Sequence, residues 1–190
     1  MDAVSLLTAD HNRVRGLFAR FRTAQEADDA QALSSLAEQI VTELGVHTKI
    51  EEEIFYPEVR AAGEQLDETV AEGIEEHHVV DVLIDEVRDL TPGDDDWVAK
   101  MTVMIENVEH HASEEEDELF PATRKAFDQG TLDEMAGRLE ARKAALGAPT
   151  VADKEHLTVD ELRQLAQEQE IPGRSSMDRD ELLATVAASS

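Results

Sequence analysis

Four long stretches of this chain repeat apolar residues at helical spacing, and all four stripes are interrupted by histidine, or by histidine and glutamate. The first runs Val4, Leu7, His11, Val14, Phe18, Phe21. The second, at 33, 36, 40, 44, 47, 51 and 54, encloses His47 and Glu51 between Leu44 and Ile54. The third, at 70, 74, 77, 80, 84 and 87, encloses His77, and the fourth, at 101, 104, 108, 111, 115 and 119, encloses His111 and Glu115. The adjacent His78 and His110 fall outside the stripes. An apolar stripe of this width is buried against other elements. The fold therefore has to take four imidazoles and two carboxylates into its interior.

Strand signals are absent, with few aromatics, little Val/Ile/Thr alternation and no Asn-Gly hairpin. The stripes predict helices over about 5–27, 29–62, 66–90 and 97–128, the third ending before Thr91-Pro92-Gly93 and the fourth starting after an Asp94-Asp95-Asp96 cap. The expectation is an all-α fold, an antiparallel up-down four-helix bundle with an extra helix over about 132–146. Residues 1–146 form the bundle domain in this reading, 147–155 a linker, and 156–190 a small helix-loop-helix appendage. Pro57 and Pro121 are expected to kink the second and fourth helices.

The interruptions repeat. His47-x3-Glu51-x3-Phe55-Tyr56-Pro57 returns about 65 residues later as His111-x3-Glu115-x3-Leu119-Phe120-Pro121. His11, Val14, Phe18 and Phe21 return as His77, Val80, Ile84 and Val87. Two similar hairpins packed around a pseudo-twofold axis bring both sets together. His and Glu four apart lie one turn apart, roughly 5–6 Å between Cβ atoms, and reach one metal ion. Taken singly, a histidine on an apolar face is usually a satisfied core residue, and an EEE run is usually solvated surface. The full constellation is different, because burying two carboxylates without cations costs several kcal/mol each. The pattern reads as a dinuclear metal site, and imidazole plus carboxylate without thiolate favours iron or manganese, with zinc behind.

Composition narrows the partners. Asp and Glu number 44 against 17 Lys and Arg, a formal charge of −27, so nucleic acid and anionic lipid are disfavoured. There is no Cys, which removes disulfides and thiolate ligands. Neither a signal peptide nor a membrane-spanning run is read in the sequence, and the expected location is cytoplasmic.

These same residues carry a resemblance to a known family. Asp10-His11 with VRGLF, HTKIEEEIFYP, EEHHVVDVL and HHASEEEDELFP resemble the hemerythrin-like, or HHE cation-binding, proteins over about residues 1–128. The resemblance implies an up-down four-helix bundle in a bacterial protein, holding two iron ions in an oxo- or hydroxo-bridged centre. Its ligands would be His11, His47, Glu51, His77, His111 and Glu115. The oxygen-carrying hemerythrins have a further histidine one turn along the third helix. Here Gly73 precedes His77 by one turn and Asp81 follows it by one turn. One iron is therefore expected to keep an open or water-filled position, or to take Asp81 or another oxygen. That favours redox chemistry over simple O2 carriage.

The leading functional expectation is binding of O2, NO or H2O2 in oxidative or nitrosative stress, with peroxide decomposition as a catalytic outcome. The alternative is a non-catalytic iron-binding, storage or sensing protein signalling through its C-terminal module. Val14, Phe18, Ile54, Ile84 and Val108 are expected to surround the site and Trp97 to pack at the start of the fourth helix; Tyr56, within reach of the pocket after the second-helix ligand, is read first as a core aromatic and second as a pocket residue. The tail LTVDELRQLAQEQEIPGRSSMDRDELLATV resembles the helix-loop-helix of the Rho termination factor N-terminal type, a family associated with nucleic acid. From His156 onward seven acids against three Arg offer no basic face, so packing or docking to a protein partner is expected.

Overall fold

The computed structural model describes residues 1–147, 159–169 and 171–187; most of the expected linker, with His156, lies outside the described residues. The described residues are helical and contain no strand. Helix α1 spans Ala3–Glu26 and α2 spans Ala30–Ile50. Asp2 and Asp29 cap them, each accepting from a backbone N–H three residues on. A π-helical turn, Glu51–Phe55, continues α2 into α3, Tyr56–Ala61. After α4, Glu64–Arg88, the chain turns through Gly93 at φ +92° into α5, Asp95–Glu114. The second pair repeats the first, since a π turn at Glu115–Leu119 leads into α6, Phe120–Ala126. Helices α7, Gln129–Ala145, α8, Val159–Glu168, and α9, Arg179–Ala187, follow.

Helix α1 packs along α2 and α4 along α5, while α7 lies against α1, α2 and the first π turn. The apolar residues separate into two clusters. One holds Val14, Phe18, Leu44, Val80, Trp97 and Val108 among others, with Phe21 and Trp97 ring centroids 5.8 Å apart. The other holds Leu6, Leu7, Ile50, Phe55 and Phe120 together with Met135, Ala136 and Leu139 of α7. The four interior histidines lie between the two clusters in sequence, one on each long helix. Hydrophobic burial on either side thus holds a polar layer in the interior.

The tail has its own small apolar cluster, including Leu162, Ile171, Leu182 and Val186. Helix α9 also runs along α1. A Cβ added to Gly16 would stand 3.3 Å from Pro172 Cδ, so this glycine permits a close approach. No helix of the described residues is long and apolar enough to cross a membrane.

Candidate metal centre

The backbone departs from α-helical geometry at the two glutamates. Pro57 and Pro121 have no N–H to donate to the carbonyl four residues earlier. The residue before each proline bonds five back instead, Tyr56 N–H to the Glu51 carbonyl and Phe120 N–H to the Glu115 carbonyl. The expected kinks thus take the form of π turns, a form frequent at functional sites.

All six singled-out residues are buried, while His78 and His110 are exposed. The histidines meet in two pairs, His11 Nε2 3.0 Å from His47 Nε2 and His77 Nε2 3.0 Å from His111 Nε2. Each glutamate spans both pairs. Glu51 Oε2 lies 3.2 Å from His47 Nε2 and 3.4 Å from His77 Nε2. Glu115 Oε2 lies 3.2 Å from His11 Nε2 and 3.6 Å from His111 Nε2. Glu51 is 0% exposed, and neither of its carboxylate oxygens accepts a hydrogen bond.

The outer nitrogens explain why the inner ones are free. Each Nδ1 faces a carboxylate: His11 faces Glu116 at 2.8 Å, His77 Glu52 at 3.0 Å, His111 Glu76 at 2.7 Å and His47 Asp10 at 3.7 Å. A protonated Nδ1 leaves Nε2 with its lone pair pointing inward. Two lone pairs at 3.0 Å repel unless a proton or a cation lies between them. The donor set, four imidazoles and two carboxylates with unpaired oxygens, fits metal ions.

Without a cation, burial pushes the Glu51 carboxyl well above its usual range, and the neighbouring Glu115 charge adds to this. Burial opposes the Glu115 charge as well, but the close His11 imidazole and the His111 charge outweigh it and lower its carboxyl. Burial lowers His47 to about 4, which keeps it a neutral donor. Behind it, burial raises Asp10, but its ion pair with the buried Lys143 of α7 brings it below the ordinary value.

One atom breaks the pseudo-symmetry. Phe120 stacks on His11 with ring centroids 5.5 Å apart, and Tyr56 stacks on His77 at 5.4 Å. The Tyr56 hydroxyl donates to Glu115 Oε1 at 2.9 Å and lies 3.4 Å from His77 Nε2. Gly73 makes room, since a Cβ there would meet that hydroxyl at 3.0 Å, whereas Leu7 occupies the corresponding position in α1. The oxygen beside His77 thus belongs to Tyr56, read from sequence as a core aromatic, and Asp81 is exposed.

On one side of the four histidines a space of about 20 Å³ is lined by Val14, Phe18, Leu44, Val80 and Val108, room for one water-sized molecule. Ile84 belongs to that apolar cluster, whereas Ile54 packs against the other.

The sequence did not single out the four outer carboxylates, although the repeat carried them. Asp10 precedes His11 as Glu76 precedes His77, and Glu52 follows Glu51 as Glu116 follows Glu115.

Comparison with known proteins bears on the same segment. The model of the hemerythrin HHE cation-binding domain matches residues 2–123, leaving the tail outside it. An uncharacterized protein of Mycobacterium tuberculosis is 30% identical over 154 residues, covering 78% of this chain and 90% of that protein. A Mycobacterium bovis protein, also uncharacterized, matches equally. A DNA nickase of a Nostoc species is 25% identical over 146 residues, and the match spans 77% of this chain but only 40% of the nickase. No solved structure matches. With its buried His and Glu clusters and a family match over most of its length, this chain belongs to the hemerythrin HHE cation-binding domain family.

Proposed function

We propose that the four long helices form an up-down bundle around two iron ions. His11 and His47 hold one iron, His77 and His111 hold the other, and Glu51 and Glu115 bridge them. The observation that carries this reading is the pair of inward-facing imidazole couples, each 3.0 Å between Nε2 atoms and each flanked by both carboxylates. Imidazole and carboxylate without thiolate suit iron first, with manganese and zinc behind. The iron pair would supply binding of O2 or NO and two-electron exchange with H2O2.

The chain's own residues do the rest. Val14, Phe18, Val80 and Val108 exclude bulk water from the space beside the histidines and admit a small neutral ligand. Glu52, Glu76 and Glu116 hold the tautomers of His77, His111 and His11 by hydrogen bonds and raise their basicity, while the Asp10 charge stands 3.7 Å from His47 Nδ1. The Tyr56 hydroxyl orients Glu115 and supplies an oxygen beside His77 where the oxygen carriers have a histidine. This supports peroxide or NO chemistry in the cytoplasm, in an oxidative or nitrosative stress response, rather than plain O2 carriage. A second reading, non-catalytic iron sensing, draws on α9 packing along α1, the helix that bears His11. In that reading the tail relays the iron state to a protein partner. DNA nicking is not carried over, because the match spans two-fifths of the nickase and a net charge of −27 opposes phosphate contact.

Metal analysis with near-ultraviolet and visible absorption, followed by H2O2 addition with O2 monitoring, tests the proposal. Two irons per chain, a bridged-diferric absorption and sustained O2 release are expected of the enzyme. Inertness or bleaching with two irons bound selects the sensor. Absence of metal after expression in iron-rich medium overturns both.

A further inference from the structure

The pseudo-symmetry of the two hairpins fails most completely at one place on the surface. On the first hairpin Leu6, Leu7, Ile50 and Ile54 belong to the apolar cluster that takes in Met135, Ala136 and Leu139 of α7. Their counterparts in the second hairpin are Glu72, Gly73, Glu114 and Glu118. The described residues include no second helix like α7 over this side. In its place is a cavity of about 50 Å³. Its outer wall carries Glu72, Glu76, Glu114 and Glu118, and its inner end reaches Tyr56, His111 and Glu115. No Lys or Arg lines it.

Two observations separate this funnel from an ordinary solvated acidic face. Glu115, 3% exposed, forms its floor, and Glu115 Oε2 accepts no hydrogen bond. At its rim Glu76, His110 and Glu114 bring one donor atom each to within 4.8 Å of one another, with His110 Nε2 3.4 Å from Glu114 Oε1. Glu76 also accepts from His111 Nδ1 at 2.7 Å, so the rim and the interior share a residue. The residue matching His110 on the closed side is Val46. An acid-lined cleft with apolar walls concentrates cations and repels anions. The mainly apolar space lined by Val14, Phe18 and Val108, with Arg15 and Glu109 also on its wall, lies on the other side of the histidines.

We infer that this funnel is the loading route of the metal centre: a divalent cation docks at Glu76, His110 and Glu114 and passes between the acidic walls to Glu115. Gly73 leaves room for the Tyr56 phenol at the inner end of the cavity, where a Cβ would stand 3.0 Å from the hydroxyl. Cations and small neutral ligands reach the histidines from opposite sides.

The inference rests on the metal-centre reading, and one experiment separates the two. Metal-free full-length protein is mixed with Co2+, and protein-bound cobalt absorption is followed by stopped flow. The variant His110→Ala/Glu114→Gln/Glu118→Gln is compared with Asp85→Asn/Glu86→Gln, which removes the same charge from an exposed stretch of α4 away from the funnel. The funnel variant is expected to load about tenfold more slowly at low salt, at the scale of electrostatic steering, and to reach the same end point. Added salt should slow the wild type and the control more than the funnel variant. Loading as fast as the control overturns the route and leaves the centre standing. Failure of the wild type to bind Co2+ overturns the centre and the route together.

Discussion

Replacing Glu51 with Gln should stabilise the metal-free protein while abolishing its metal binding. Glu51 is 0% exposed with no hydrogen bond to either oxygen, so its charge is uncompensated when no cation is present. Burial raises its folded-state carboxyl well above the ordinary value. The folded state then holds this proton more tightly than the unfolded chain does. The resulting penalty is absent below the ordinary Glu value of about 4.3, grows as pH rises, and is complete above the folded value. Gln has nearly the same shape and no charge at any pH. An unpaired buried ion costs several kcal/mol, and about 2 kcal/mol is a conservative figure after relaxation. For a chain of this length that raises the melting temperature by about 4–8 °C. Thermal unfolding of chelator-treated protein, followed by circular dichroism at about pH 4 and pH 8, measures it. Gln is expected to exceed wild type at the higher pH and to converge with it at the lower. With iron the order reverses, since only wild type gains binding energy. A metal-free variant no more stable than wild type at the higher pH, or a gap independent of pH, would refute the reasoning.

His47→Ala or Glu115→Ala is expected to lose metal by elemental analysis, whereas His78→Ala, altering an exposed residue, keeps full occupancy. Tyr56→Phe removes the hydrogen bond to Glu115, worth about 1 kcal/mol, and should keep metal while shifting the absorption spectrum. An unchanged spectrum would deny the hydroxyl a place in the site. Lys143→Met leaves Asp10 charged and buried without its partner, at a cost of about 3–5 kcal/mol, seen as a lower melting temperature. Truncation after Gly147 is expected to keep the metal and lower stability, because it removes α9 from the side of α1. Loss of metal on truncation would instead make the tail part of the centre.

What was legible in the sequence followed from periodicity. A 3.6-residue period reports which face of one helix is buried, so it separated His77 from His78 and His111 from His110 without reference to any other helix. Duplication then showed that the interruptions are paired. The Nδ1 partners were harder to see, although they obey the same repeat. His11 meets Glu116 from a helix about 105 residues away, and an isolated EE or EEE run looks like surface. Tyr56 is a core aromatic as read, but its hydroxyl was harder to place. The ring packs in the interior whatever the hydroxyl does, and the hydroxyl's destination depended on a glycine in another helix.

Sequence by itself determined the helical class, the six interior polar residues and the chemistry they share, because each rests on local spacing and side-chain type. The tertiary structure decided how the set is used. Interhelical packing placed each glutamate across two histidine pairs, put Tyr56 rather than Asp81 beside His77, and sealed one hairpin with α7 while leaving its counterpart open and acidic. Those outcomes depend on where helices distant in the chain lie relative to one another. A helix's own period carries no record of its neighbours' positions, so only the packed chain could settle them.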